Sequence, residues 1–449
     1  MKNEKLEKAM TEKEPAPKPA KYIRTGCDLL DILLGGKAKT YGLEAGTILG
    51  VWGDSGAGKS FVINEMIAAN HYRNPKKFRW LNSDGENGNK FDCQKLYGFE
   101  ISSEGKPLSG FVKGERGAIK PATITFHHST TVQEMDAHVS LFLSGLKDDE
   151  YAIYAQDSLD SVKDAGAEEA AQERLSKLVQ GKEVVNKGSY NMGKQKALSA
   201  FFADHVDELE RKNCLLILTS QYRAKIGSPI PGQKTVTGGY SLKYYCHTIL
   251  DLTLIRKIEV GGKWIGSVVR ARTKNKARTE RPGREIYYVV YFTRGIDNVG
   301  SNIDYLYNLR ITSGQDAGKL VSEEVCWGGA MPDLKSVTAW LNDTGKMAEY
   351  KEFAYKVIGR RAVNLDVVYQ WAALGIKAED GSVVEAPACP EEYGAKFGRK
   401  MTRDELRALC GCDPEARRRL REMVIEKWEA AEAEAEAAVG FEKVFDNFD

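Results

Sequence analysis

One stretch of the chain has the residue types and spacing needed to hold a phosphate group. It reads Gly53-Asp54-Ser55-Gly56-Ala57-Gly58-Lys59-Ser60, between the apolar run TILGVW and the helical pattern SFVINEMIAAN. Glycines in such a loop let backbone N–H groups turn toward phosphate oxygens, and the helix N-terminus adds partial positive charge. In this pattern Lys59 neutralises the β- and γ-phosphates and Ser60 coordinates Mg²⁺. The spacing predicts a nucleotide site, with a chance match as the alternative.

Acidic residues that follow two apolar runs are candidates for the rest of this site. Asp157 ends the run YAIYAQ and is the candidate second protein ligand of the magnesium ion. Asp84 and Glu86 follow the run FRWLN, where a carboxylate can orient an attacking water molecule. Each assignment has an alternative, because Asp157 can be a strand-terminal turn residue and Asp84 or Glu86 a solvated loop acid.

Five basic side chains recur at every second position in one segment: Arg270, Arg272, Lys274, Lys276 and Arg278. On a β-strand this spacing places all five on one face, where they repel one another unless an anion lies against them. The pattern therefore predicts a bound anion. A solvated edge strand that is protected by its charge is the alternative.

Alternating apolar runs and helical patterns predict the framework that positions these residues. Strand-like runs at 47–52, 78–81, 122–126, 151–155 and 215–219 alternate with helical patterns. This order predicts an α/β fold with a mostly parallel central sheet covered by helices. Residues 248–293 contain three β-rich runs separated by Gly-Gly and Pro-Gly turns, which predict an antiparallel extension of that sheet.

The ends of the chain differ from the middle. Residues 1–21 are charged and then punctuated by prolines, as expected of a tail and linker, whereas residues 346–449 form a mainly helical region. In that region Thr402 and Glu405 have capping-box spacing, and Asp413 before Pro414 predicts a helix that runs to about Ala438. Residues 426–449 hold eight acidic and two basic side chains. One hypothesis is that this acidic tail folds back onto the basic segment 270–284, and a disordered solubilising tail is the alternative.

Composition excludes several classes of protein. The 449 residues carry a net charge of +2, with 42% hydrophobic and 29% charged residues, which are globular values without a strong overall field. Eight cysteines show no CxxC pair and six histidines no HxxxH pair, so a zinc site or a disulfide scaffold is not expected. Without an apolar run long enough for a membrane helix or a signal peptide, we expect a cytoplasmic protein without a membrane partner.

With these motifs in order, the sequence from Tyr22 to about Leu341 resembles the RecA recombinase family. The matching stretches are RTGCDLLDILLGG, YAQDS, GSYNMG, NCLLILTSQYRAKIG, TVTGGYSLKYYCHTILDL, RTKNKA and VTAWLND. The resemblance implies a RecA-type P-loop NTPase core at 22–300, a small C-terminal module at 301–345 and an extra helical domain with an acidic tail at 346–449. It further implies ATP and Mg²⁺ as cofactors, with ATP bound between subunits of a helical filament and DNA along its axis.

The resemblance also implies roles for individual residues. Lys59, Ser60 and Asp157 take the phosphate and magnesium roles, while Asp84 stands where the family usually has its catalytic Glu, so Asp84 or Glu86 positions the water. Phe91 matches the family's adenine-stacking aromatic, and an ordinary core Phe is the alternative. Gln221 matches the residue that senses the γ-phosphate. Lys274 and Lys276 match a pair that reaches a neighbouring subunit's ATP, as arginine fingers do.

Two segments correspond to the family's DNA-binding loops. The candidate DNA contacts in the first are Met192, Gly193, Lys194 and Lys196, and those in the second are Arg223, Lys225, Lys234, Gly238 and Gly239. The first segment is longer here than in bacterial members, with a helical pattern at its centre. For the second, a plain surface loop is the alternative.

The resemblance predicts an ATP-dependent DNA recombinase that assembles as a homo-oligomer on single-stranded DNA, pairs it with double-stranded DNA and exchanges strands. The long insert, the short N-terminal region and the extra C-terminal region favour an alternative, an ATP-gated regulatory or accessory protein without strand exchange. A hexameric helicase shares the fold but lacks support from the TGGYSLKYY signature. The C-terminal domain is a candidate site for a protein partner.

Overall fold

The computed structural model describes residues 21–35, 42–86, 88, 91–114, 118–180, 192–224, 234–236, 239–274, 282–327 and 399–438. The helices of this part are α1 (Asp28–Gly35), α2 (Lys59–Arg73), α3 (Cys93–Tyr97), α4 (Val132–Gly145), α5 (Ala165–Val179), α6 (Met192–Arg211), α7 (Gly239–Tyr245), α8 (Asn298–Leu306), α9 (Arg403–Cys412) and α10 (Pro414–Ala438). The strands are β1 (Tyr22–Ile23), β2 (Leu43–Glu44), β3 (Ile48–Gly53), β4 (Phe78–Asp84), β5 (Pro107–Lys113), β6 (Ile119–Thr125), β7 (Tyr151–Asp157), β8 (Cys214–Gln221), β9 (Arg223–Ala224), β10 (Lys234–Thr235), β11 (Thr248–Val260), β12 (Lys263–Thr273), β13 (Glu285–Tyr291), β14 (Gly295–Ile296), β15 (Glu324–Trp327) and β16 (Arg399–Thr402).

Eight of these strands form one sheet in the order β14-β13-β12-β11-β3-β8-β7-β4. The five strands from β11 to β4 are parallel, whereas β11 through β14 pair antiparallel as successive hairpins. The predicted α/β fold with a mostly parallel sheet is therefore confirmed. The predicted antiparallel extension over residues 248–293 is confirmed as well.

The prediction that residues 122–126 belong to the parallel sheet is wrong. They lie largely in β6, which pairs antiparallel with β5 in a separate two-stranded hairpin. This hairpin packs closely on α4, because a Cβ added at Gly110 would lie 2.0 Å from the carbonyl oxygen of Leu141. Its other face carries exposed apolar side chains such as Phe111 and Ile119. A strand-like pattern alone does not tell which sheet a strand joins.

Hydrophobic residues pack on both faces of the main sheet. In β3, Leu49 and Val51 belong to one buried cluster, which includes α1 and α2, while Ile48 and Trp52 belong to the cluster beneath α4 and α6. The alternation follows from the two-residue period of a strand, and burial of both faces explains why β3 is continuously apolar. The central strands are thus held rigidly from both sides.

The C-terminal helices pack on this core through a third cluster around α8 and α9. The expected capping box is present, since the Thr402 hydroxyl accepts a hydrogen bond from the Glu405 N–H and the Glu405 carboxylate accepts one from the Thr402 N–H. Helix α10 extends to Ala438, as predicted, and its Trp428 joins the main core. Consequently residues 426–438 of the acidic segment are a packed helix. Within the described residues, Glu432 of this helix forms an ion pair with Arg284 of the basic segment.

Strands β15 and β16 pair with each other, which joins two segments that the sequence predictions assign to separate domains, 301–345 and 346–449. The predicted tail at 1–21 lies outside the described residues except for Lys21. No helix in the described part of the chain is both long and apolar enough to cross a membrane.

Candidate functional site

The carboxyl ends of the parallel strands bring the predicted site residues together at one edge of the sheet. Gly53 at the end of β3 is in register with Gln221 at the end of β8, and Asp84 of β4 is in register with Asp157 of β7. Because β3, β8, β7 and β4 are consecutive neighbours, residues that are up to 168 positions apart in sequence share one edge. Ligand sites in parallel α/β sheets form at this edge.

The loop between β3 and α2 has the conformation that a phosphate-binding loop requires. Gly56 and Gly58 have φ values of 76° and 86°, in the left-handed region that favours glycine, although no atom lies within 4 Å of a Cβ added at either one. The Lys59 ammonium is buried and donates hydrogen bonds to the carbonyl oxygens of Gly53 (3.0 Å) and Asp54 (3.1 Å). Burial lowers the pKa of Lys59, and nearby acids, Asp157 first, oppose that shift. A phosphate group would compensate this buried charge.

Asp157 lies beside the start of α2, as the sequence predicts for a magnesium ligand. Its carboxylate accepts hydrogen bonds from the Ser60 hydroxyl (2.5 Å) and from the Thr219 hydroxyl (2.5 Å). Burial raises the pKa of Asp157, the two hydroxyl donors oppose the shift, and the nearby carboxylates of Asp84 and Glu86 add to it. A cation at this point would relieve the repulsion among these acids.

The donor set fits Mg²⁺. The hydroxyl of Ser60 and the carboxylate of Asp157 are hard oxygen ligands, and Mg²⁺ in nucleotide sites takes one or two such ligands together with phosphate oxygens and water. Among the described residues, no group of three or more His, Cys, Asp or Glu side chains is arranged to hold a metal ion by itself. A magnesium ion here would therefore take its remaining ligands from phosphate oxygens and water.

Glu86 and Asp84 are placed differently. The Glu86 carboxylate accepts hydrogen bonds from the Ser158 hydroxyl and from the Gln221 side-chain amide, the latter at 3.2 Å. The Asp84 carboxylate accepts a hydrogen bond from the backbone N–H of Gly88 at 3.2 Å. Among the described residues that line the cavity at this edge, Glu86 is present and Asp84 is absent. The geometry favours Glu86 over Asp84 as the carboxylate that faces a bound ligand.

The cavity has a volume of about 330 Å³ and two chemically distinct ends. The polar end is formed by the phosphate loop together with Glu86, Asp157 and Gln221. The other end is lined by apolar and aromatic residues with one hydroxyl: Phe61, Phe91, Trp264, Ser267, Val269, Val290 and Phe292. Sequence analysis identified Phe91 but missed Trp264, Ser267 and Phe292, which belong to the antiparallel strands and the turn after them. Their only sequence signal is the β-rich pattern of that region.

Gln221 connects the cavity to the predicted DNA segment. Its side chain donates to Glu86, while its backbone N–H donates to the Asp160 carboxylate at 2.8 Å. Asp160 also forms an ion pair at 3.0 Å with Arg223, whose side chain is 60% exposed. A shift of Gln221 toward a ligand would therefore act on the start of the segment that contains Arg223.

Lys274 is held within its own chain. Its ammonium lies 2.5 Å from the Tyr222 hydroxyl and 3.4 Å from an Asp251 carboxylate oxygen, and 5.4 Å from the centre of the Trp52 ring. Arg270 and Arg272 precede it on β12, with Arg270 half-buried and Arg272 exposed. Lys276 and Arg278 lie outside the described residues. The role of Lys274 at a neighbour's nucleotide stays a prediction.

The candidate DNA contacts of the first loop are placed unequally. Lys194 is buried, and its ammonium donates to the carbonyl oxygens of Leu159 and Val162. Burial lowers its pKa to about 8, so this position does not favour the predicted contact with a DNA backbone. Lys196 is exposed, Gly193 lies close to the Asp164 carboxylate, and Met192 begins α6.

In the second loop, Lys234 lies in β10, which pairs with β9, and Gly239 begins α7. Lys225 and Gly238 lie outside the described residues. These positions do not test the predicted contacts with DNA.

The parallel sheet, the loop after β3 and the acids at the neighbouring strand ends define an α/β protein with a P-loop. Residues 175–297 match the model of the RecA N-terminal domain. Over this segment the chain is similar to the RecA family. The matched residues include Gln221 and Lys274, whereas the phosphate loop precedes them.

Several curated relatives are similar to part of the chain. Protein RecA of Acinetobacter baylyi is 31% identical over 119 residues, which are 26% of this chain and 34% of that protein. Protein RecA of Geobacter metallireducens is 33% identical over 104 residues (23% and 30%), and that of Teredinibacter turnerae is 32% identical over 120 residues (26% and 34%). The match thus spans about a third of the length of these relatives.

Proposed function

We propose that this chain is an ATP-dependent DNA recombinase that forms nucleoprotein filaments on single-stranded DNA and promotes homologous pairing and strand exchange. One observation carries the proposal: a single cavity joins the phosphate loop, Asp157 and Glu86 to Gln221, from which the chain leads toward the basic second loop. ATP bound there would contact Gln221 and thereby alter the affinity of that loop for DNA.

In this proposal each residue at the polar end has one task. Lys59 and the loop N–H groups bind the phosphates, Ser60 and Asp157 hold Mg²⁺, and Glu86 orients the attacking water. Bound Mg²⁺ neutralises negative charge that develops on the phosphate oxygens. Lys274 and Lys276 would act on the nucleotide of a neighbouring subunit once Lys274 is released from Asp251.

Contacts with DNA would be made by exposed cations near the site. Arg223 and Lys196 are the described candidates, and Lys225 and Lys234 extend the set. Each phosphate contact releases counterions, so affinity for DNA should fall steeply as the salt concentration rises. The same segments would contact both single-stranded and double-stranded DNA.

The test compares the full-length protein with Lys59→Ala, and uses Lys77→Ala as a matched control because that exposed lysine lies just before β4, at the opposite end of the strand from Asp84. We expect single-stranded DNA to stimulate ATP hydrolysis by the wild type and by the control. Lys59→Ala should lose ATP binding, hydrolysis and strand exchange. Normal strand exchange by a variant shown to be unable to bind ATP would refute the proposal.

A second function is favoured by elements that lie outside the main sheet, namely the β5–β6 hairpin and the docked helices α9 and α10. In that alternative the chain is an ATP-gated accessory protein in DNA repair or replication. Electron microscopy with ATP and single-stranded DNA distinguishes the two functions. Continuous helical filaments support the recombinase, whereas discrete particles with DNA-stimulated hydrolysis but no strand exchange support the accessory protein.

A further inference from the structure

One buried carboxylate joins the two candidate DNA loops. Asp160 lies in the turn between β7 and α5, which leads to the first loop, and its side chain is only 5% exposed. One of its oxygens accepts hydrogen bonds from the Ser220 hydroxyl (3.0 Å) and the Gln221 N–H (2.8 Å). The other oxygen lies 3.0 Å from the guanidinium of Arg223, at the start of the second loop. Asp160 therefore contacts both the end of β8 and the first cation of the second loop.

The turn that carries Asp160 is held in place from two sides. The buried ammonium of Lys194, in α6, donates hydrogen bonds to the carbonyl oxygens of Leu159 and Val162, one on each side of the carboxylate. The Leu159 N–H donates to the Thr219 carbonyl oxygen of β8 at 3.0 Å. Because these bonds fix the backbone of the turn, we expect the Asp160 carboxylate to keep its position when its basic partner moves.

The two members of the ion pair differ in exposure. Arg223 is 60% exposed, whereas Asp160 is buried. An ion pair with an exposed partner contributes little to stability and is screened by salt, and a phosphate group accepts paired hydrogen bonds from a guanidinium as a carboxylate does. When Arg223 leaves, the carboxylate retains its hydrogen bonds from Ser220 and Gln221. A DNA phosphate can therefore replace Asp160 as the partner of Arg223.

We propose that Asp160 is a positioning residue that competes with the DNA backbone for Arg223. Its carboxylate neutralises the guanidinium until Gln221, which donates its N–H to the same carboxylate, moves toward bound ATP and releases Arg223 to a DNA phosphate. Nucleotide and DNA thus act on one carboxylate, the first through the backbone of Gln221 and the second through the side chain of Arg223. This inference rests on the proposed function, because it requires DNA to contact the second loop.

The test measures binding of a fluorescent single-stranded oligonucleotide by anisotropy on the full-length protein, without nucleotide and with a non-hydrolysable ATP analogue and Mg²⁺. Asp160→Asn removes the charge but keeps an oxygen that can accept the hydrogen bonds from β8. Without nucleotide, its affinity for DNA should rise about threefold to fivefold, and with the analogue it should change less than about twofold.

Glu150→Gln is the matched control. Glu150 is as buried as Asp160 and pairs with the exposed Arg79 at 2.6 Å, but it lies just before β7, at the opposite end of that strand from Asp160. Glu150→Gln should leave the affinity for DNA unchanged with and without the analogue.

Arg223→Ala supplies an independent measurement. It should weaken DNA binding more with the analogue than without nucleotide, because Asp160 occupies the guanidinium in the latter case. When Arg223→Ala is already present, Asp160→Asn should have no further effect. An equal loss in the two conditions would contradict the competition for Arg223.

An equal gain from Asp160→Asn with and without Arg223 would show that the loss of a negative charge alone tightens binding, and would overturn the inference. Unchanged or weaker DNA binding by Asp160→Asn, in a protein whose wild type exchanges strands, would overturn this inference alone. A wild type that does not bind single-stranded DNA would overturn the proposed function together with it.

Discussion

The parallel and antiparallel halves of the main sheet contribute to the cavity in different ways. The parallel half supplies groups at its strand ends or in the loops that follow them, along a single edge: Lys59, Glu86, Asp157 and Gln221. The antiparallel half supplies Ser267 from within a strand, Trp264 from near the start of the same strand and Phe292 from the turn after β13. Thus the parallel strands place charged and polar groups at one end of the cavity, while the antiparallel hairpins form its apolar and aromatic wall.

This difference explains which residues of the cavity can be recognised in the sequence. Each parallel strand places its last residue at the same edge of the sheet, whatever the length of the strand. The phosphate-loop motif and the polar residues that follow the apolar runs therefore identify the polar end of the cavity. An antiparallel wall depends on register, since Ser267 meets Val290 only through the pairing of β12 with β13. A one-residue shift would turn every side chain to the opposite face.

The largest effect that we predict separates Glu86 from Asp84 within the parallel half. Glu86→Gln should lower the rate of ATP hydrolysis about 10²-fold to 10⁴-fold, because it removes a carboxylate that lines the cavity and contacts Gln221. Asp84→Asn should lower it less than about tenfold. Single-turnover kinetics at saturating ATP provide the measurement. A larger loss in Asp84→Asn would assign the water to Asp84 and contradict the geometry.

An intermediate effect concerns Glu65, which joins the two halves. Glu65 lies in α2, and its carboxyl accepts hydrogen bonds from the Ile296 N–H of β14 and from the Tyr97 hydroxyl. Burial raises the pKa of Glu65 to about 8, far above the ordinary glutamate value of about 4.3. Between these values the folded state holds a proton that the unfolded state has lost, so stability falls as pH rises through this window.

Glu65→Gln should abolish the loss of stability with rising pH, because glutamine does not titrate. Its amide oxygen can still accept both hydrogen bonds. At 1.36 kcal/mol per pKa unit, the variant should gain about 2–4 kcal/mol relative to the wild type between pH 5 and pH 8. Urea unfolding at both pH values measures this gain. The exposed Glu429→Gln is the control and should show no such pH-dependent gain. Parallel pH profiles for Glu65→Gln and wild type would contradict the prediction.

The smallest effect concerns the contact between the antiparallel half and α10. Arg284 and Glu432 form an ion pair with an Nε–Oε1 distance of 2.5 Å, and the Glu432 side chain is 8% exposed. A double-mutant cycle of Arg284→Ala and Glu432→Ala should give a coupling energy of about 1 kcal/mol in urea unfolding.

The matched control for that cycle is the exposed pair Arg419 and Glu426 within α10, for which we expect about 0.3–0.5 kcal/mol. Equal coupling in the two cycles would show that burial of Glu432 does not strengthen its ion pair. The ion pair between Arg284 and Glu432 would then contribute no more to stability than an exposed ion pair on a helix surface.

Sequence reasoning predicted the fold class and the polar end because both depend on local patterns. The apolar run of β3, the glycines after it and the start of α2 are contiguous. The features that it did not predict depend on tertiary packing. Residues 122–126 have a strand pattern, yet they lie largely in β6, which pairs with β5, a strand that packs closely on α4 at Gly110. Lys194 has the composition of a surface cation, but its ammonium is buried against two carbonyl oxygens.

The central position of β3 imposes an order of events on the nascent chain. Its two neighbours in the sheet, β8 and β11, begin about 160 and 195 residues after Gly53. At about 5–20 residues per second, the ribosome needs roughly 10–30 s to synthesise β8 after β3. During that interval an entirely apolar strand and its phosphate loop have no sheet partner. We therefore expect the newly made segment to be prone to aggregation until β8 has been synthesised.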